Sequence, residues 1–243
     1  MDYLELKDRC VAWIRDWFDK NGRDCCAVLG MSGGKDSTVA AALCAEALGR
    51  DRVVGVAMPA EGQSINGADE ICAYLGIRYI CAPIGEIISG FESVGKAIDE
   101  GFSRQAEQNI PPRVRMATVY AISQSLNGRV VNTCNLSEDW VGYATRWGDN
   151  VGDFSPLAGL TVQEVKGVGH AMGIPAKWVE KIPDDGLPHS CSDEEKFGFS
   201  YEVLDRYIRT GECDDPEIKE KIDRMHRGST FKLSMPDGFK PSL

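Results

Sequence analysis

An apolar run, Cys26-Ala27-Val28-Leu29-Gly30-Met31, leads straight into Ser32-Gly33-Gly34-Lys35-Asp36-Ser37, and residues 38–48 follow with helical character. A buried strand, a tight glycine turn and a helix N-terminus make a ready anion site. Paired glycines let the backbone turn with its N–H groups pointing inward, and the helix start adds unpaired donors and a favourable dipole. Ser32 and Ser37 bring hydroxyls and Lys35 a positive charge. Asp36 would be repelled by a bare phosphate, so its presence points to a metal accompanying the phosphates, as in a nucleotide polyphosphate with Mg2+. The loop is neither the G-x-x-x-x-G-K-S/T phosphate loop nor the G-x-G-x-x-G dinucleotide fingerprint.

The pattern around this loop predicts an α/β chain. Residues 4–20 carry Leu6, Cys10, Trp13, Ile14 and Trp17 at helical spacing, and Asn21-Gly22 ends the run. Strands are predicted at 25–29, 53–58, 78–81 and 129–133, and helices at 65–75, over most of 84–108, and at 113–126. Strands alternating with helices imply a parallel sheet with right-handed crossovers, whose ligands bind at the carboxyl ends of the strands. The phosphate loop, the 59–63 turn and the 133–137 turn would share that edge. Beyond Trp147 the strand signal fades, and residues 162–172, 193–208 and 216–225 read as helices. The expectation is one domain with a helical C-terminal part.

Composition narrows the partners. The 243 residues are 43 % hydrophobic and 26 % charged, an ordinary soluble balance, and no apolar run reaches the length of a membrane span. A net charge of −10, from 37 acidic and 27 basic residues, argues against broad nucleic-acid binding. No basic, apolar leader opens the chain, which favours the cytoplasm. Nine cysteines, with no C-x-x-C pair, read as reduced core residues, and three scattered histidines make a histidine metal cluster unexpected.

The phosphate loop resembles the S-G-G-x-D-S loop of the N-type ATP pyrophosphatases. Three further stretches resemble the ammonia-dependent NAD synthetase family: Asn132-Thr133-Cys134-Asn135-Leu136-Ser137-Glu138 with Gly142-Tyr143, Thr145, Gly148-Asp149 and Asp153 beyond it; Asn109-Ile110-Pro111-Pro112-Arg113-Val114-Arg115-Met116; and the run from Ile182-Pro183 through Asp193-Glu194, Gly198 and Tyr201. The resemblance implies a Rossmann-like, adenine nucleotide alpha hydrolase-like sheet flanked by helices, spanning residues 1–243 without a glutaminase domain. It implies that deamido-NAD presents its nicotinate carboxylate to the α-phosphate of ATP, that pyrophosphate leaves, and that ammonia converts the acyl-adenylate to NAD and AMP. Asp36 and Glu138 would hold Mg2+. Ser32, Gly33, Gly34, Lys35, Asp36, Ser37, Gln63, Arg113 and Thr133 would contact ATP. Asn109, Tyr143, Asp149, Asp153 and Lys232 would contact deamido-NAD, with Asp36, Asp149 and Lys232 catalytic and Asp149 deprotonating ammonium. A homodimer is implied, with Trp13 and Trp17 either in that contact or in the core.

The chain also departs from the family pattern. Val162 follows Leu160-Thr161 where a lysine is usual, with Lys166 one turn on; Pro183-Asp184-Asp185 replaces Pro-Ser/Thr-Ala; Phe231-Lys232-Leu233 keeps only the lysine of H/F-K-R; and Trp147 stands for a tyrosine. Two other readings stay open: another ATP pyrophosphatase, either tRNA-modifying or an amidotransferase subunit, and a non-catalytic nucleotide sensor. Cys134 and Cys191 are the thiols nearest the expected site.

Overall fold

Residues 26–30 and 53–57 hold only small and apolar side chains, which suits strands covered on both faces. In the computed structural model, which describes residues 1–65, 67–181 and 192–239, these runs are β1 (Cys26–Gly30) and β2 (Val53–Ala57). They join β3 (Arg78–Cys81) and β4 (Gly128–Val130) in one parallel sheet of order β3-β2-β1-β4. The chain steps outward from β1 to β3 and then crosses to β4 on the other side of β1. Strand order therefore reverses between β1 and β4, and the crevice at their carboxyl ends is the natural ligand site of such a sheet.

The helices are α1 (Tyr3–Asn21), α2 (Lys35–Leu48), α3 (Ala68–Leu75), α4 (Gly85–Gly95), α5 (Arg104–Ser125), α6 (Leu136–Val141), α7 (Val162–Ala171), α8 (Ala176–Val179), α9 (Asp193–Phe197), α10 (Tyr201–Thr210) and α11 (Pro216–Leu233). Strand alternation sorts them into layers. Ala27 and Leu29 of β1 point into a cluster with Phe18 of α1, Leu43 of α2 and Val165 of α7. Val28, with Val54 and Val56 of β2, points the other way, towards Val114 and Val119 of α5. A third cluster of Val141, Phe197, Leu204 and Ile222 fastens α9, α10 and α11 onto α6.

Phe154 ties the first cluster to β4. Val131 forms a parallel bridge to Phe154, and the Phe154 ring stacks on Trp17 at 4.7 Å and meets Phe18 edge-on at 5.2 Å. Trp17 therefore belongs to the core; Trp13, 6.4 Å from the same ring, stays 44 % exposed. Phe154→Ala should destabilise the fold by about 3–5 kcal/mol, measured as a lowered urea midpoint at unchanged m-value.

Several element boundaries differ from the sequence expectation. Helix α2 begins at Lys35 rather than residue 38, so half of the phosphate loop is its first turn. Helix α3 starts at Ala68 rather than residue 65. Strand β4 ends at Val130, because the Asn132 N–H turns to donate to the Phe154 carbonyl at 2.8 Å. Helix α5 continues through Pro111 and Pro112, where a break was expected. Each proline removes a helix hydrogen bond, and packing of Ile110, Val114 and Val119 against the sheet holds the helix through them. The expected helix over 193–208 is two, divided at Gly198 with φ 75°. Helix α11 runs on to Leu233 rather than stopping near residue 225.

Candidate active site

The phosphate loop leaves β1 with the Met31 N–H donating to the Val56 carbonyl at 2.8 Å. Gly33 adopts φ 76°, a left-handed conformation that glycine takes without steric penalty. Gly34 caps α2 with no side chain over the helix end. The first N–H groups of α2 are therefore not taken by a capping side chain, the condition for binding an anion there. Ser32 Oγ lies 3.2 Å from Ser37 Oγ and accepts from the Gly34 N–H at 3.2 Å, while the Ser37 and Thr38 hydroxyls donate to the Gly34 carbonyl at 3.2 and 2.8 Å. The turn is thus braced by its own hydroxyls.

Opposite, the segment after β4 turns into α6. Asn135 is the N-cap: its side chain accepts from the Ser137 and Glu138 N–H groups, and Glu138 completes a capping box. Ser137 donates to the Asp205 carboxylate at 2.5 Å, linking α6 to α10. Asn135 Nδ2 donates to Asp36 Oδ1 at 3.0 Å, clasping the two loops together. The other Asp36 oxygen accepts from Lys35 Nζ at 2.8 Å. Burial, and then the neighbouring Asp36 carboxylate, push Glu138 well above the ordinary carboxylate range. Burial alone would pull Lys35 down, but Asp36 and Glu138 outweigh it and the ammonium is held charged. A buried carboxylate raised by a second carboxylate beside it marks a place where added positive charge is favourable.

These loops enclose a cavity of about 480 Å3 at the carboxyl ends of β1, β2 and β4. Of the sequence-predicted residues, Ser32, Gly34, Lys35, Asp36, Ser37, Gln63, Thr133, Glu138, Tyr143 and Asp149 line it. Gly33 stands at the rim, its carbonyl accepting from Lys181 Nζ at 3.3 Å. Asp149 is held by the Thr145 N–H, which donates to its Oδ1 at 2.5 Å; its backbone carbonyl accepts from Asn132 Nδ2 and the Cys134 thiol, each at 3.3 Å. Burial raises the Asp149 pKa against the opposing pull of the Thr145 hydrogen bond and Lys232. Burial, and then Asp149, carry nearby Asp139 to about 6.

Besides Gly33, four predicted residues sit outside the cavity lining. Arg113 is exposed and its Nε donates to the Arg146 carbonyl at 3.3 Å. Asn109 Oδ1 accepts from the Thr145 hydroxyl at 3.0 Å. Asp153 is occupied structurally, accepting from the Val130 N–H at 2.7 Å and the Tyr120 hydroxyl at 3.3 Å. Lys232 Nζ donates to the Gly142 carbonyl at 2.7 Å, closing the end of α6. Asn109, Asp153 and Lys232 therefore support the wall that carries Asp149 rather than line the cavity.

The lining also holds Arg115, Lys181, Asp193 and Lys196, which sequence reading left without a site role. Arg115 was within reach of that reading. Pro112, Arg115, Met116 and Val119 all line the cavity and recur at helical spacing, so α5 turns that stripe inward and Arg113 off it. Arg115 donates to the Met58 carbonyl at 3.1 Å and to Gln63 Oε1 at 2.7 Å, and burial lowers its pKa. Lys196 Nζ donates to the Tyr143 hydroxyl at 2.9 Å. Val162 is buried beside a second cavity of about 120 Å3, where Lys166 pairs with Glu180 at 2.8 Å. The expected loop residues Ile182, Pro183, Asp184 and Asp185, together with Cys191, lie outside the described residues. Cys134 is buried, and burial pushes its thiol well up, so it is an unreactive wall residue.

Among the described residues no group of three His, Cys, Asp or Glu side chains is arranged to hold a metal. Asp36 and Glu138 nevertheless fit Mg2+ as hard oxygen donors that share the cavity with a phosphate loop, since that ion is commonly held by one or two carboxylates together with substrate phosphates.

Comparison with known proteins agrees with this geometry. The model of the NAD synthase family matches residues 6–236. The NH(3)-dependent NAD(+) synthetase of Methanocaldococcus jannaschii is 37 % identical over 84 % of this chain and 80 % of its own. That of Pyrococcus furiosus is 34 % identical over 99 % and 96 %. Among solved structures, NMN synthetase from Francisella tularensis superposes with a TM-score of 0.88 at 26 % identity, covering all of both chains. The NH3-dependent NAD synthetase of Campylobacter jejuni superposes with 0.79 at 26 % identity, covering 99 % of this chain and all of that one. A match that runs almost end to end, on a sheet whose switch point carries the expected phosphate loop, establishes that this chain belongs to the NAD synthase family.

Proposed function

We propose that the protein amidates the nicotinate carboxylate of deamido-NAD with ammonia, using ATP and yielding NAD, AMP and pyrophosphate. The observation that carries this reading is the single cavity in which the phosphate loop, the Asp36 and Glu138 carboxylates, and Asp149 meet. An aromatic carboxylate is a poor acyl donor until one oxygen becomes a good leaving group. A carboxylate oxygen attacks the α-phosphorus, the bond to the β-phosphate oxygen breaks, and an acyl-adenylate remains. Ammonia then adds to the acyl carbon, and AMP leaves with the electron pair of the acyl–oxygen bond.

The chain's own groups divide this work. The N–H groups at the start of α2, with the Ser32 and Ser37 hydroxyls, receive the departing pyrophosphate. Asp149 takes a proton from ammonium and exposes the lone pair, a role suited to a carboxylate made more basic by burial. Tyr143, fixed by Lys196, offers its ring to the pyridine. Arg115 and Gln63 hold one another at the β2 end of the cavity, where they contact the nucleotide. Asp36 and Glu138 would hold Mg2+, which when bound neutralises charge on the phosphates.

The same reading takes residues 1–243 as one catalytic unit drawing free ammonia in the cytoplasm. Its support is that elements from β1 to α9 build a single cavity. It also takes the enzyme as a homodimer; the exposed apolar side chains Ile87, Val94 and Ile98 support that.

A second reading is favoured by the full-length likeness to NMN synthetase: the acceptor is the mononucleotide acid rather than the dinucleotide. Purified protein with ATP and Mg2+ is offered deamido-NAD or nicotinic acid mononucleotide, with ammonium added or withheld. Pyrophosphate release that requires deamido-NAD, with NAD formed only when ammonium is present, is the expected result. Turnover of the mononucleotide alone would select the second reading, and ATP binding without release in any combination would leave a sensor.

A further inference from the structure

The carboxylate pair that the proposed function assigns to a divalent ion already has a cation beside it. Lys35 Nζ lies 2.8 Å from Asp36 Oδ2, and the lysine side chain is only 4 % exposed. Asp36 Oδ1 is taken by Asn135 at 3.0 Å, so both oxygens of Asp36 are engaged within the chain. The ammonium also feels Glu138 and Asp193, and it stands 5.8 Å from the centre of the Tyr201 ring. A hard divalent ion and an ammonium compete for the same carboxylate lone pairs, because each is favoured there by the same negative field.

We infer that Lys35 is a resident counter-ion of the Asp36–Glu138 pair, and that a divalent ion binds by displacing its ammonium from Asp36. The inference rests on the reading of Asp36 and Glu138 as metal carboxylates. The fold provides a place for the displaced group. Lys35 and Asp193 line both the main cavity and the smaller one beyond it, where Tyr201 also faces in. A short swing away from Asp36 keeps the ammonium beside the Asp193 carboxylate, so it is not left as an unpaired buried charge. Before metal arrives, Lys35 offsets repulsion between the carboxylates. Metal affinity without nucleotide is correspondingly weak.

Mn2+ binding to the nucleotide-free protein tests this, read from the loss of the free-ion signal in electron paramagnetic resonance. Lys35→Met removes the ammonium at similar length, and Lys35→Gln keeps a donor without the charge. The second variant guards against a folding failure of the first, and circular dichroism reports which variants fold. The expected result is that folded variants bind Mn2+ about tenfold or more tightly than wild type, and that adding Asp36→Asn abolishes the gain. Equal or weaker binding in both variants, with wild-type binding still dependent on Asp36, overturns the role of Lys35 and leaves the metal site standing. Binding that is indifferent to Asp36 in every protein removes the metal site, and the inference with it.

Discussion

Asp36→Asn lowers acceptor-dependent pyrophosphate release by about a thousandfold at saturating substrates, the scale expected when a group stabilising charge at the reacting centre is lost. The asparagine is isosteric and its Oδ1 still accepts from Asn135 Nδ2, so the clasp between the two loops survives. What disappears is one negative charge facing Glu138, together with the oxygen that accepts from Lys35. Glu138→Gln should cause a loss of similar size. The informative protein is the double variant. If both carboxylates act on one bound ion, combining the substitutions costs little more than either alone; if they act independently, the losses multiply. Thermal unfolding keeps the comparison fair: Asp36→Asn leaves the Lys35 ammonium beside Glu138 and Asp193 alone, so a modest drop in melting temperature accompanies the kinetic loss. A single variant retaining a third of wild-type turnover would remove Asp36 from the reaction.

Much of this site was legible in the sequence because its central parts are local. The strand, the glycine turn and the helix start that form the phosphate loop are contiguous, and each obeys a short-range rule. The stretch over residues 132–149 was equally readable, since Glu138 lies in the short helix that follows a recognisable strand and Asp149 on the turn beyond it. Legibility failed where tertiary contact overrides a local rule. Two prolines predict a break in α5, yet burial of Ile110, Val114 and Val119 carries the helix through them. Once it is continuous, its phase turns Arg115 inward and leaves Arg113 outside, which a two-residue spacing alone does not decide. At the start of α6 the Ser137 hydroxyl is claimed by Asp205, 68 residues later in the chain. Asp153 looks like a site carboxylate until the Val130 N–H and the Tyr120 hydroxyl are found to occupy it. Such pairings depend on which elements meet, and composition does not record that.

Asp149→Asn separates the two half-reactions. Adenylation asks nothing of Asp149, so a pyrophosphate burst persists, whereas amide formation falls by about a hundredfold or more, the usual range for a positioned general base. Rapid-quench measurement of pyrophosphate and amide in one experiment resolves this. Amide formation at the wild-type rate, with ammonium at neutral pH, would exclude Asp149 as the base. The substitution should also stabilise the fold at neutral pH. Burial raises the folded-state pKa of Asp149, so its contribution to stability is fully present below the unfolded value of about 3.9 and is lost as pH rises through the higher folded one. Asparagine resembles the protonated acid, keeps the acceptor for the Thr145 N–H, and escapes that loss. The melting temperature of the variant therefore exceeds that of wild type near pH 7, and the difference closes below about pH 4. Asp139, lifted to about 6 by burial and then by the Asp149 charge, should titrate lower in the variant, a shift that carbon-detected NMR of its carboxyl group follows directly. Gain in stability with loss of amidation, in one substitution, is what a charge kept buried for chemistry predicts; a carboxylate retained only to hold the Thr145 turn would change neither.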